Sequence, residues 1–597
     1  MLMQMEYTSK EVYEYVSKKT NDPIVEWKKC RESWQEFPIY QSDLDFYEKV
    51  SPTFEVSEKY AKDFLEKNND VKDHFEFKDW KLKAKLPTPT LCPEEREAQR
   101  FVFRNERFLY RGTCSFSWKT IISMFSPDKN YKVCENGLRW SDKWSPVEMW
   151  KDSISKDFYS VIDELLHKVP VWNKYWLDNE NSDYSNVVDC SKDTYMCYAS
   201  SEIENSLYIK DSIKCTNCVD CMYIDHCENC FDCVKTSHCF WLLHSNKCVN
   251  CSESSYLNNC TNCHDCFNCI WLDNKSYCIN NVQYSKEDYQ KLITNAKKIK
   301  LEENVCWCMQ QNSENCFGND LVGCHNCCFV WSWTESRDIK YTISDIFWED
   351  CYDSFRGSSH SIYTIACRYS HSCWCIAFGK ELKNCRYCLN TFFSSNCFWC
   401  VWLKNKEYCI YNKQYTKQEY NELVPEIIAW MIRNNQRWEF FDPQLSYWWY
   451  NETMWIDYHP MWKEEALKKW YKRNDYVAPF PKVEKTVPWE KLPKIGCKAI
   501  QEKKPDFLKK IPNYAIVCEV SKKPFRIIKQ EIDFYVKHNL PLPTKHPDVR
   551  HQERLARKDS ATMHLIHCDE CGEEMLSVHE KEQWKKILCE KCFYKAK

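Results

Sequence analysis

Residues 215–233 read Cys215-Thr-Asn-Cys218-Val-Asp-Cys221-Met-Tyr-Ile-Asp-His-Cys227-Glu-Asn-Cys230-Phe-Asp-Cys233, and the beat set here runs on to Cys269. Cys215, Cys227, Cys239, Cys251 and Cys263 are twelve apart. Cys221, Cys233 and Cys269 fall on the intermediate six-residue beat, where Ser245 and Leu257 stand in for cysteine. Cys218, Cys230, Cys248, Cys260 and Cys266 lie three residues from it. A helix with 3.6 residues per turn does not keep such positions on one face over this length. A β-solenoid does, because each short face sends a small residue inward and successive turns stack those residues. Cysteine is a small, readily buried hydrophobe and suits the inward row. The neighbouring Asn217, Asn229, Asn250 and Asn262 suit the corners between faces.

The same cysteines admit a second reading. Pairs such as Cys215/Cys218 and Cys227/Cys230 have zinc-ligand spacing, so the row could be a metal or redox ladder. Paired zinc knuckles, however, are separated by a loop, and here the motifs run together. Packing is therefore the preferred reading.

The solenoid is duplicated. Cys269-Ile-Trp-Leu-Asp-Asn-Lys-Ser-Tyr-Cys278 matches Cys400-Val-Trp-Leu-Lys-Asn-Lys-Glu-Tyr-Cys409, and Cys373, Cys385, Cys397 and Cys409 repeat the twelve-residue beat. Each copy ends in a segment that reads as a capping helix, with Ser285 and Thr416 at the N-cap. The chain ends also match each other. Cys30-Arg-Glu-Ser33, Phe37-Pro-Ile39, Asp45-Phe-Tyr47 and Leu86-Pro-Thr-Pro-Thr90 return in order as Cys518-Glu-Val-Ser521, Phe525-Arg-Ile527, Asp533-Phe-Tyr535 and Leu540-Pro-Leu-Pro-Thr544. The expected fold is mixed and β-rich: a duplicated cysteine-repeat β-solenoid with capping helices, flanked by zinc-ribbon or treble-clef-like modules at both ends. The expected divisions are N-terminal degenerate zinc-ribbon-like modules at 1–150, a helical connector at 151–185 (helix over 151–180), solenoid copies at 186–300 and 301–435, a linker at 436–510 and a C-terminal zinc-ribbon module at 511–597.

One motif carries metal chemistry. Cys568-Asp-Glu-Cys571 is separated by 17 residues, beginning with Gly572, from Cys589-Glu-Lys-Cys592. Four thiolates at this spacing give Zn2+ a closed tetrahedral, structural site. The related N-terminal segment keeps Cys114 and Cys134 but has Ser117 and Gly137 at the other positions. The copies headed by Cys30 and Cys518 have Ser33 and Ser521, with Cys92/Glu95 and His546/Val549 at the second knuckle. These read as zinc folds that have lost ligands and rely on apolar packing.

The chain of 597 residues has 41 Cys, 27 Trp and only 8 Gly. Average usage of about 7% would give roughly 42 glycines. Trp118 aligns with Gly572, and Asn396-Cys-Phe-Trp399 with Asn315-Cys-Phe-Gly318. Many of these tryptophans are therefore expected to be UGA codons read as glycine by the host.

Together these segments resemble a cysteine-rich, zinc-ribbon-containing protein family of candidate-phyla bacteria with reduced genomes. The resemblance is carried by Phe37-Pro-Ile-Tyr40, Pro87-Thr-Pro-Thr-Leu-Cys-Pro93, Arg104-Asn-Glu-Arg107, Ile121-Ile-Ser-Met124, Trp140-Ser-Asp-Lys-Trp144, Asn405-Lys-Glu-Tyr-Cys-Ile410, Phe525-Arg-Ile-Ile528 and the final CxxC pairs. It spans nearly the whole length. It implies a bacterial source and supports the decoding of UGA as glycine, but the family brings no established activity.

Composition limits the function. With 83 Lys and Arg against 86 Asp and Glu, the net charge is -3, which excludes a chain that is basic throughout. No apolar run long enough to span a membrane is present, and the start has no signal-peptide core, so the expected location is the cytoplasm. No Walker loop, dinucleotide-binding glycines, GxSxG or HExxH occurs, and no small-molecule substrate is evident. The expectation is a zinc-binding, non-enzymatic scaffold that contacts nucleic acid or protein. Arg550, Arg554, Arg557 and Lys558 form the candidate phosphate-contacting run. The alternative is metal storage or thiol redox chemistry along the cysteine ladder.

Overall fold

A computed structural model describes residues 5–139, 147, 158–301, 304–306, 310–346, 349–355, 361–365, 373–377, 381–434, 440–459, 461, 463–469, 471–477, 479–480, 483–581 and 586–596. The Trp140 to Trp144 motif and the start of the expected 151–180 helix lie outside these residues. The helix that is described runs Phe158–Lys168 and ends twelve residues before the expected 180. Pro170 ends it by driving the residue before it out of the helical region, and strand Val171–Trp172 follows.

The centre is a parallel β-solenoid. Its register is i to i+12: Asn186 faces Tyr198, Met222 faces Val234, Thr236 faces Cys248, and Cys266 faces Cys278. The second copy keeps that step at Ser361/Cys373 and Cys397/Cys409, with an eleven-residue step between Phe317 and Cys328 and a ten-residue step between Cys351 and Ser361. Beneath the twelve-residue turn lies a three-residue unit that the sequence hides. From Asn205 to Asn280 every third residue has positive φ, and from Ser206 to Cys269 the residue after it is buried in the interior. Each turn thus has four sides of three residues.

Asn217, Asp220, Asn229, Asp232, Asn250 and Asn262 sit at these left-handed corners. Their short polar side chains tolerate that conformation better than most. The inward positions of successive turns read Cys215, Cys218, Cys221 and Ile224, then Cys227, Cys230, Cys233 and Thr236, then Cys239, Leu242, Ser245 and Cys248. In these three layers at least three of the four inward residues are small, which suits a narrow core.

Cysteine and serine interchange here because they do the same job for the backbone. The ladder uses the amides of the other two residues in each unit, as in Leu207 N–H to Cys218 O and Asp220 N–H to Leu207 O, 3.0 Å each. The inward residue's own amide points at the side chain twelve residues back. Cys218 N–H donates to Ser206 Oγ at 3.0 Å, and Cys233 N–H to Cys221 Sγ at 3.5 Å. The inward group in turn donates to the carbonyl two residues before it, as Cys218 does to Thr216 at 3.4 Å and Ser206 to Glu204 at 2.8 Å. Such pairing spares buried polar backbone a cost of about 1–3 kcal/mol per group.

Each copy is closed in the same way. A short antiparallel strand, Val282–Gln283 or Lys413–Gln414, folds back on the last turn. A helix follows, Lys286–Leu292 or Lys417–Arg433, with Ser285 and Thr416 as the N-caps that the sequence indicates.

The two matching ends dock on the solenoid through the same charged lock. In the C-terminal copy, Arg550 and Arg554 on helix Pro547–Leu555 both pair with Asp220, Arg554 at 2.7 Å. Tyr208 donates to Glu531 at 2.9 Å while Arg550 lies 4.6 Å over the Tyr208 ring. In the N-terminal copy, Arg96 and Arg100 on helix Pro93–Phe101 pair with Asp353 at 2.8 and 3.3 Å. Tyr341 donates to Asp43 at 3.4 Å, and Arg96 lies 5.0 Å over the Tyr341 ring. All four arginines and both solenoid carboxylates are buried.

The segment 436–510, read as a linker that packs on something else, packs through its aromatics. Tyr447, Trp448 and Trp455 are buried, and Trp448 Nε1 donates to Met124 O at 2.9 Å. Strand Lys485–Pro488 pairs with Tyr514–Val517, so the C-terminal module begins before residue 511.

Removing a solenoid carboxylate takes a shared ion-pair partner from two buried guanidiniums, although Arg550 keeps Glu531 at 3.2 Å. Asp220→Ala and Asp353→Ala are each expected to cost about 3–5 kcal/mol. Urea denaturation of each variant checks this, and a cost below 1 kcal/mol would show that the lock is dispensable.

Candidate metal centre

The C-terminal hairpin pairs His564–His567 with Glu574–Ser577. Its turn is a tight knuckle: Cys568 N–H donates to Glu573 O at 2.9 Å and Gly572 N–H to Cys568 O at 3.0 Å. Closing this turn puts Gly572 at φ +74°, a left-handed conformation that favours glycine. The second pair comes from strand Lys586–Leu588 and the first turn of helix Glu590–Ala596. Asp569 joins the halves by donating its N–H to Ile587 O at 2.9 Å and accepting from Ile587 N–H at 2.8 Å.

These elements bring together the four cysteines that the sequence singles out. The sulfurs of Cys568, Cys571, Cys589 and Cys592 all lie within 4.8 Å of one another, and Cys571 and Cys589 are 3.6 Å apart. Zn–S bonds of about 2.3 Å place tetrahedral sulfurs about 3.8 Å apart, so the set fits a four-thiolate metal ion. Burial opposes ionisation of Cys568, but the amides of Cys589, Cys571 and Glu570 outweigh it and pull the thiol down to about 6. An anion-ready sulfur is what a metal ion requires. Cys568, Cys589 and Cys592 are buried while Cys571 is exposed, and Met575, Ile587 and Phe593 pack around them.

Three other knuckles have the same backbone. Trp34 N–H donates to Cys30 O at 2.9 Å, Trp118 N–H to Cys114 O at 3.0 Å, and Lys522 N–H to Cys518 O at 3.2 Å. The residue matching Gly572 has positive φ in each: Trp34 at 63°, Trp118 at 60° and Lys522 at 59°. In each a helix starts beside the second ligand position, at Pro93, Asn136 and Pro547. The turns therefore persist without a full ligand set. Ser33 and Cys92 lie 3.6 Å apart, and hydrogen bonds from Cys92 and Ser33 hold the Cys30 thiol at about 5. Glu95 instead accepts from Tyr7 at 2.8 Å and Lys469 at 3.1 Å.

The expected phosphate-contacting run faces inward. Arg550 and Arg554 are consumed by Asp220, Arg557 pairs with Asp232, and Lys558 lies 3.8 Å from the Tyr458 ring centroid. Burial pushes the Lys558 amine down to about 7. The run is a docking face, and sequence alone could not show its carboxylate partners more than 300 residues away.

A second group passed unnoticed in the sequence. Asp225, His226 and His238 share an exposed solenoid corner, with the two imidazoles stacked at 4.8 Å. Their twelve-residue spacing was the available signal. Among the described residues, the solenoid thiols supply no third such group. Burial pushes the Cys197 thiol up to about 12 and holds Cys218, Cys221 and Cys233 well above the usual range.

No protein-family model matches the chain, and no curated protein is similar to it.

Cobalt reports a tetrathiolate site by its colour. The full chain is expected to develop thiolate-to-Co2+ absorbance at one ion per chain, and Cys571→Ser to lose most of it. Unchanged absorbance in that variant would place the metal elsewhere.

Proposed function

We propose that the chain is a zinc-holding, non-enzymatic scaffold that presents knuckle modules of treble-clef type to a nucleic-acid or protein partner. The observation that carries this reading is the repeated architecture: the same module, locked to the same solenoid surface by two arginines and one carboxylate, at both ends of the chain. One knuckle of four keeps a complete thiol set, and a closed four-thiolate ion is structural. The interior thiols support packing over storage or redox chemistry, because their sulfurs are engaged with backbone groups. Free thiols in such number suit a reducing compartment such as the cytoplasm. Among the described residues no helix is long and apolar enough to cross a membrane.

Decoding of UGA as glycine belongs to the same proposal. Trp34, Trp80 and Trp118 combine positive φ with exposures of 70%, 65% and 80%. A large indole gains little there and strains the turn, whereas glycine fits. Trp399 and Trp402 also have positive φ but are buried, so the case rests on the exposed three.

Native mass spectrometry of protein from its own host tests the scaffold reading. About one zinc per chain is the expected result, and many per chain would put storage ahead. Peptides across Trp34 and Trp118 from the same preparation are expected to contain glycine; tryptophan at both would end the decoding proposal.

A further inference from the structure

The two duplicated ends share a docking lock but not a charge. Residues 10–104 hold 18 Lys and Arg against 20 Asp and Glu, a net of -2. Residues 485–558 hold 18 Lys and Arg against 8 Asp and Glu, a net of +10. The fold of the module therefore does not need the surplus, since its sister forms the same hairpin, knuckle and docking helix without it.

The surplus also has a direction. Arg550, Arg554 and Arg557 face the solenoid and are neutralised there. The remaining excess lies between 485 and 529, where 12 Lys and Arg stand against 4 Asp and Glu, and all twelve are exposed. Lys498 and Lys503 lie on helix Cys497–Lys503, and Lys509 and Lys510 on helix Pro505–Lys510, which packs against it. Lys509 is 3.9 Å from Asp506, and Arg526 bonds to Pro512 O at 2.7 Å. Among the described residues Lys491, Lys494, Lys498, Lys503, Lys504 and Lys510 carry no ion pair.

From this polarity we infer that the outward face of residues 485–529 binds the phosphodiester backbone of nucleic acid, independently of sequence. This rests on the scaffold reading and gives it a partner and a surface. Exposed cations in this number suit an extended array of anions, and a duplex offers one phosphate per about 1.7 Å of axis. Eleven of the twelve are lysines, which engage phosphate as point charges without reading base edges. Exposed large apolar groups in this stretch are only Ile495 and Val520, too few to insert into a lipid surface.

The test is fluorescence anisotropy of the full chain with a labelled single-stranded RNA, a labelled duplex DNA of equal length and, in parallel, phosphatidylglycerol vesicles. Binding should be micromolar or tighter in 50 mM NaCl and weaken steeply as salt rises. Lys503→Glu/Lys504→Glu/Lys510→Glu is expected to lose about 100-fold or more and to flatten the salt dependence by about one power per lost contact. Lys491→Glu/Lys494→Glu/Lys498→Glu should do the same on its own, which guards against one variant misfolding. Lys18→Glu/Lys19→Glu, on the sister module, should leave binding unchanged. Tighter binding of RNA or of DNA would name the natural source of the phosphates. Binding by both basic-face variants at wild-type strength would overturn this surface while leaving the scaffold reading standing. Vesicle binding without nucleic-acid binding, or no binding at all, would overturn the inference outright, and the zinc count would then judge the scaffold reading alone.

Discussion

Everything in the central body depends on a left-handed residue placed before each inward side chain. That conformation turns the chain a quarter of the way round in three residues, so four such steps return it to its starting column. It costs about 1–2 kcal/mol for an ordinary L-residue, which is why Asn and Asp gather at these corners. The same turn aims one amide per unit into the interior, away from the ladder. An aliphatic interior would leave those amides unpaired. Ser206 and Cys221 show the answer: a small side chain with one acceptor and one donor, placed a turn earlier. The abundance of cysteine is thus a consequence of backbone geometry in a narrow core.

The outer surface of the solenoid follows from the same periodicity. Residues one turn apart share a column, so Leu207, Val219, Phe231 and Leu243 line up beneath the C-terminal module. Beside this apolar stripe Asp220 takes both arginines of the docking helix, and Asp232, one turn on, takes Arg557 just past its end. Asp353 takes both arginines of the N-terminal module's helix. Apolar columns alone would permit sliding by a turn; a buried carboxylate that must meet two arginines sets the register.

Much of this was legible in the residues. The twelve-residue beat gave the solenoid, the tail motifs gave the capping helices, and the CxxC spacing gave the sulfur cluster. The three-residue unit was hidden because Ile224, Thr236, Leu242 and Ser245 occupy the same inward position as cysteine. The basic run at 550–558 was misread for a different reason. Its charge is local in sequence, but the carboxylates that neutralise it come from another part of the chain, and only the fold brings them together. The charge of 485–529 escaped notice because it is spread over two helices, a strand and a loop. The helix boundary at Lys168 was available from Pro170, which outweighs the apolar periodicity around it.

A chain built in triplets can change length only in certain steps. Gain or loss of one residue would turn every later side chain inside out unless a local irregularity absorbs it, as the one between Phe317 and Gly318 does. Three residues restore the interior but rotate everything downstream by a quarter turn, carrying Asp353 and its column away from the helix that seeks it. Twelve residues restore both. Whole turns of twelve are therefore the changes in length that preserve both the core and the modules docked on its flank, while other lengths need an irregularity such as that at Phe317 and Gly318.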